Sequence, residues 1–560
     1  MRHLHLLLVL SYALALPAAE EASKTDGNPN GTLIMTLHGS FPLRPAGLLF
    51  GPGDKSLHDA TMELREALLA PEKHLVLDLS NSFDPGLAAA EELAAVLRNR
   101  PVGKKVSCLV DGLNNAALVV TAACDEVVMA EAGVLMIGGL AANVDFYADA
   151  LAKIGVRFHA VTSGPAKTAP EPLTRSTPSD AARNEIGHQV RALDQVLIAD
   201  CLRGSFDSNA LAVARARAPQ VARVAVETRL ADKAAEPGEW LKRQALPIRH
   251  FKKSGKSRDL DSLPGMVAAI TELINGEQDT KHPQAVAVVE LEGDILDGEG
   301  GVPGYAITGT DIAALFDRLA GDQHIVAVVV RVNSPGGSAS ASDRIHFAIR
   351  RCAARKPVVA LFDAYAASGG YYLGCAAQEV LVHRGTITGS IGVFGLMPDL
   401  SQTRKLLGIN RHQVLTGPRA GLYDLEGFSA EKEAAMRQVI DAVDQRFQSL
   451  VAERRKLSPE AVKNLAGGKV YTGEEAITLG LADRIGDLPS AVARARELAK
   501  HPNPLPLERF PKSGGLAAKL GLTSTLATEV GLPHDLLRWI TLARLGKPLV
   551  LCWAPIALVK

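Results

Sequence analysis

Nowhere in the 560 residues does a Cys-x-x-Cys pair occur, and six cysteines in a chain of that length are too few for a disulfide scaffold or a zinc ribbon. They are expected to be buried as small hydrophobes. Net charge is missing too: 61 Lys and Arg balance 61 Asp and Glu, so no global field attracts a polyanion and no nucleic-acid partner is expected. Neither a Gly-x-x-x-x-Gly-Lys-Ser/Thr loop nor a His-Glu-x-x-His helix is present, so no nucleotide, metal or other cofactor is expected. What remains is ordinary globular material, 47% hydrophobic and 22% charged, which excludes disorder, collagen and coiled coil as descriptions of the whole. The length allows about three or four domains.

The chain begins Met1-Arg2-His3, continues through an apolar run from Leu4 to Leu16, and reaches Pro17-Ala18-Ala19 before the acidic Glu20-Glu21. That is the charged, apolar, small-residue order of a secretory signal over residues 1–19. The apolar run is shorter than the roughly 20 residues a spanning helix needs, which favours cleavage over a retained anchor. In either case the bulk of the chain is expected to be exported. Near the other end, Leu536 to Val559 is apolar but interrupted by Arg544, Lys547 and two prolines, and reads as a docking or interfacial segment within a tail over residues 499–560.

Laid against itself, the chain repeats. Leu37-His38-Gly39 answers Leu291-Glu292-Gly293, Leu75 to Leu79 falls on Val328 to Val332, and Lys105 to Asp111 resembles Pro357 to Asp363. Further on, Thr162 to Pro165 pairs with Leu415 to Pro418, and Leu230-Ala231-Asp232-Lys233 with Leu481-Ala482-Asp483-Arg484. Chance does not hold five anchors in one register. Each copy alternates short apolar runs, such as Ile325 to Val330 and Val358 to Phe362, with helical stretches such as Ser342 to Ala354 and Ala430 to Arg455. Alternation of that kind predicts an α/β fold, two tandem repeats of stacked βαβ units, over residues 31–247 and 284–498. The polar stretch 248–283, with its Lys252-Lys253-Ser254-Gly255-Lys256 run, is expected to link them.

The informative positions are those where the copies differ. In the second copy, Asn333-Ser334-Pro335-Gly336-Gly337 follows a buried strand, and a Pro-Gly-Gly turn lets backbone N–H groups approach a ligand with no Cβ in the way. Another strand runs through Asp363 into Ser368-Gly369-Gly370, where a helix is expected to start. Taken alone, Ser368 is most simply a helix cap. At the matching position, however, the first copy has Ala116 and lacks both glycines, while Lys167 of the first copy is matched by Ala420 in the second. One copy keeps a serine and the other a lysine, as expected of two half-sites sharing one centre across their interface.

With these residues the sequence resembles the long, two-copy form of the signal peptide peptidase A (protease IV) family, from Gly31 to near Leu498. The resemblance is carried by Asn333 to Gly337, Ala367-Ser368-Gly369-Gly370-Tyr371, Thr388-Gly389-Ser390-Ile391-Gly392, and Gly164-Pro165-Ala166-Lys167-Thr168-Ala169 with Glu171-Pro172. It implies a crotonase-like or ClpP-like fold, Ser368 as nucleophile, Lys167 as general base and Ser390 as the hydroxyl that orients the lysine. It further implies a membrane-associated homotetramer at the periplasmic face of the bacterial inner membrane, acting on peptides such as cleaved signal peptides. Two features depart from the family: Ala166 stands where an aromatic is usual, and the N-terminal apolar run is short for the usual anchor.

A serine hydroxyl becomes a good nucleophile only when a base takes its proton, and Ser-Lys pairs are one recurring solution. The obstacle is charge, because a free lysine with a pKa of about 10.4 is neutral only about once in 2,500 at pH 7. Bringing it to about 7–8 takes roughly three units, or about 4 kcal/mol, which burial between two domains can supply. The oxyanion needs preorganised donors: the N–H of Gly369 and that of Gly337 or Gly336, each worth roughly 3 kcal/mol. Tyr365, Tyr371, Leu373, Ile391 and Phe394 suggest either pockets for apolar side chains or plain core, core being the heavier reading. Three alternatives stay open: a Ser-His-Asp triad with His383 or His346 as base, an acyl-CoA enzyme of the crotonase type, and a scaffold without activity.

Overall fold

The structure, a computed structural model, describes residues 28–43, 55–80, 82–202, 204, 206–244, 246–251, 284–299, 306–417, 421–422, 424–511, 549–553 and 558–559. The expected signal (1–19) and most of the expected linking stretch and tail lie outside them. Among the described residues, no helix is long and apolar enough to cross a membrane.

Strand Ile325–Ser334 opens on a run of β-branched and small residues, Ile325 to Val330, and is buried along nearly its whole length. An apolar run with no polar face needs cover on both sides, which parallel sheets with crossover helices provide. Its neighbours are Ala285–Glu292 and Val358–Ala367, both parallel to it, in a sheet that continues to Ile387–Gly389 and Val470–Thr472 on one side and to Leu507–Phe510 on the other. The first repeat builds the same order from Thr32–Thr36, His74–Asp78, Lys105–Asn114 and Glu126–Met136, flanked by Gln220–Val221 and Ile248–His250. Matching details persist far from any site. Asp232 accepts the N–H of Val127 at 2.7 Å in one repeat, and Asp483 accepts that of Val380 at 2.7 Å in the other.

The outermost strands lie just beyond the repeat boundaries drawn from sequence. Ile248–His250 pairs with Thr32–Ile34, and Leu507–Phe510 with Val286–Val289, so the first residues of the expected link and of the expected tail complete the two sheets. Short edge strands containing Arg249 and His250, or Glu508 and Arg509, show no apolar alternation to read.

Each repeat has its own core, one around Leu75, Leu97 and Val119, the other around Val328, Ile349 and Phe362. Between them lies a buried ionic cluster. Arg331, fully buried, donates from Nε to Asp363 at 2.6 Å and from Nη2 to Glu92 at 2.8 Å, Glu92 coming from helix Leu87–Arg98 of the first repeat. Next to it, Glu91 accepts the N–H groups of Arg384 and Gly385, both at 2.8 Å. Burial pushes the Glu91 carboxyl up to about 8, helped by the charge of Asp200 and opposed by those two N–H groups.

Candidate active site

Parallel strands leave their carboxyl ends open to a crevice where a site can form. Three of those ends meet here, those of Ile325–Ser334, Val358–Ala367 and Ile387–Gly389.

Ser368 joins strand Val358–Ala367 to helix Gly369–Gly374. It stands at the cap position, yet its side chain makes no capping hydrogen bond, which sets the simple helix-cap reading aside. Its backbone is at φ 54° and ψ −112°, a conformation that costs a non-glycine residue about 1–3 kcal/mol and persists only where its surroundings enforce it. Two bonds do so: its N–H donates to Gly389 O at 2.8 Å, and its carbonyl accepts the N–H of Tyr372 at 2.8 Å. The hydroxyl then faces the first repeat, with Gly392 O as a distant acceptor at 3.4 Å.

Lys167 arrives from that repeat because strand Arg157–Thr162 leaves its own sheet and pairs antiparallel with Phe394–Asp399 of the second repeat. The loop that follows is stitched down at once: Ser163 N–H donates to Val393 O, and Val393 N–H to Ser163 Oγ, both at 2.9 Å. Lys167 Nζ thereby lies 2.6 Å from Ser368 Oγ, 201 residues away in sequence, 2.9 Å from Ser390 O and 3.0 Å from Ser390 Oγ. Lys167 is 1% exposed, and Ser368 and Ser390 are 0% exposed. Ser390 is also held in the left-handed region, at φ 48°, its N–H donating to Lys469 O at 2.6 Å.

Sequence reasoning missed the pair that seats the lysine loop, Gly467-Gly468. Gly467 O accepts the N–H of Ala166 at 3.1 Å, and Gly468 N–H donates to Ile391 O at 2.9 Å, so the turn bridges the lysine segment to the Ser390 segment. Gly468 has φ +94°, and a Cβ there would lie 2.4 Å from Lys167 N. A double glycine just before strand Val470–Thr472 was the available signal. Gly468→Ala is expected to displace Lys167 and lower kcat about 100-fold while the fold persists, since misplacements near 1 Å cost that much. Steady-state peptide hydrolysis alongside circular dichroism checks it.

A carboxyl also stands close to the lysine loop. Asp444, on helix Ala430–Arg455, is held above the usual carboxylate range by burial, while Ser163, Gln448 and the charge of Lys167 pull it down.

The three candidate glycines separate. Gly369 opens the helix directly after Ser368. Gly337, at φ +152°, is packed so closely that a Cβ would meet Ile295 O at 2.1 Å. Gly336 has its N–H committed to Ser334 Oγ at 3.2 Å. Of the apolar neighbours, Tyr371, Leu373, Ile391 and Phe394 are fully buried, so core is the better description of them; Tyr365 is half-buried.

Neither candidate histidine is bonded to Ser368. His346 Nδ1 lies 2.7 Å from Tyr372 O, and burial pushes the ring down to about 4. His383 is buried beside Asp363 and Glu92, its Nε2 3.7 Å from the Glu92 carboxylate, and burial lowers it too.

A strained serine meeting a buried lysine across two repeats is an arrangement for nucleophilic chemistry, and relatives of the chain are proteases. The family model for peptidase family S49 matches residues 98–247 and 350–501, more than half the chain. Protease 4 of Salmonella typhi is 29% identical over 509 residues, covering 85% of this chain and 80% of that protein. Protease 4 of Haemophilus influenzae is 27% identical, covering 88% and 81%, and the chloroplastic serine protease SPPA of Arabidopsis thaliana is 24% identical, covering 68% and 56%. The chain belongs to peptidase family S49 and is a serine peptidase. Membership of a peptidase family answers the acyl-CoA and scaffold alternatives left open by the sequence.

Proposed function

We propose that the chain hydrolyses peptide bonds through a Ser-Lys dyad, with Ser368 as nucleophile and Lys167 as general base. The observation that carries this reading is the 2.6 Å contact between Lys167 Nζ and Ser368 Oγ in a site closed to water. The oxygens that Nζ meets there, on Ser368 and Ser390, are uncharged. As a free amine, Nζ has one lone pair to take the Ser368 proton and two N–H groups to donate to Ser390 O and Oγ.

In this reaction Ser368 Oγ attacks the carbonyl carbon of an extended peptide as its proton passes to Lys167 Nζ. The oxyanion is received by the N–H of Gly369 and that of Gly337; Gly336, already donating to Ser334, is left out of the pair. Lys167 then protonates the leaving amine, and the acyl-enzyme is hydrolysed by a water whose proton returns to the same nitrogen. The family resemblance and the export pattern at the N-terminus extend the reading to remnants of signal peptides as substrates, at the periplasmic face of the inner membrane, by a homotetramer.

The test is labelling with an electrophilic β-lactone that acylates activated serines. Mass spectrometry is expected to place the adduct on Ser368 in the wild type and in His383→Gln, with none formed in Lys167→Met. An adduct on Ser368 that persists without Lys167, or is lost with His383, makes the histidine triad the better account.

A further inference from the structure

The region around Leu536 to Val559, read from sequence as a docking segment, contributes a strand that docks on the chain's own site. Leu549–Trp553 pairs antiparallel on one side with Gly336–Ser338 and on the other with Phe394–Leu396, and Leu551 is opposite both Ser338 and Phe394. Both walls abut the nucleophile. The residue before the first wall's Pro-Gly-Gly turn, Ser334, has its carbonyl so near Gly370 that a Cβ there would lie 2.7 Å from it. The second wall begins two residues beyond Gly392, whose carbonyl faces Ser368 Oγ.

Without Leu549–Trp553 the six-stranded sheet would fall into two pieces, separated by a gap about two strand spacings wide, roughly 9–10 Å. Each piece would present an unpaired edge to that gap. Such a slot accepts one extended backbone by strand addition, with main-chain hydrogen bonds on both sides. A second anchor lies further along: Leu558–Val559 pairs antiparallel with Ala142–Asn143 of the first repeat, so the same late segment touches both halves of the chain.

We propose that Leu549–Trp553 occupies the position of an extended peptide substrate, so that the chain screens its own catalytic serine until the segment is displaced. This rests on Ser368 being the nucleophile, and the slot takes an extended, predominantly apolar peptide in antiparallel register with both walls. A tethered segment that itself binds the slot with about 0.1 mM affinity competes at an effective concentration in the millimolar range and weakens any competing peptide roughly tenfold.

Val550 is opposite Gly395 and precedes Leu551, which is opposite both walls, and proline at Val550 removes an N–H and is poorly accommodated within a paired strand. In full-length Ser368→Ala protein, Val550→Pro is expected to tighten binding of a fluorescein-labelled apolar octapeptide about tenfold by anisotropy; in the active chain it lowers KM by the same factor and leaves kcat unchanged. A chain lacking residues 548–560 gives the same shift, and a synthetic peptide of residues 548–554 inhibits that chain competitively. Unchanged affinity in both variants overturns the proposal. The binding arm needs no turnover, so tighter binding in protein that never hydrolyses peptide upholds the screening segment while defeating the dyad, and hydrolysis lost with Lys167 at unchanged peptide affinity does the reverse.

Discussion

Lys167→Met is expected to lower kcat for peptide hydrolysis by at least about 10³-fold, and Ser368→Ala by as much or more, while far-UV circular dichroism and the melting temperature stay close to wild type. Methionine keeps the length and apolar stem of the lysine and removes only the nitrogen that meets Ser368 and Ser390. The double variant should lose no more than the worse single one, because groups acting as one unit do not contribute independently. Lys167→Arg should not restore activity: guanidinium stays protonated and has no lone pair to offer. Stopped assays over at least four decades of rate are needed. Activity of Lys167→Met within tenfold of wild type would transfer the base to another residue.

The second large effect is on stability. Arg331→Met is expected to destabilise the chain by about 3–5 kcal/mol, because it leaves the Asp363 and Glu92 carboxylates buried without their counter-charge. Adding Glu92→Gln and Asp363→Asn to Arg331→Met should recover much of the loss, since buried ion clusters replaced as a whole are often neutral. Thermal melts of the single and triple variants, read side by side, decide this. A single variant that melts like wild type would show that the cluster does not hold the repeats together. Activity should fall with stability, because Asp363 lies on the strand that ends at Ser368 and Arg331 on the strand that leads to Gly336 and Gly337.

What was legible in the sequence, and what was not, follows from where each signal resides. The repeat exposed the α/β architecture and the pairing of Ser368 with Lys167, because an internal comparison shows which copy kept which group. Strand interiors such as Ile325 to Val330 were legible through their uniform apolarity. The route by which Lys167 reaches Ser368 was not: strand Arg157–Thr162 pairs with residues more than 230 positions later, and no local pattern encodes such a partner. Gly467-Gly468 looked like any turn until the lysine loop lay against it. The bond from Arg331 to Glu92, 239 residues earlier, is equally non-local. The apolar residues around Ser368 carry one composition that serves pocket and core alike, and only their burial separates the two.

The crossing of strand Arg157–Thr162 onto the second repeat also bears on how such a chain is made. During synthesis the lysine emerges 201 residues ahead of the serine, and Ser390 later still. On the dyad proposed above, a nascent or truncated chain that stops short of residue 368 carries the amine with no hydroxyl to activate, and a fragment of the second repeat alone carries the hydroxyl with no base. Under that proposal, hydrolytic competence requires both halves to be complete and docked, so assembly of the two repeats is itself the activating step.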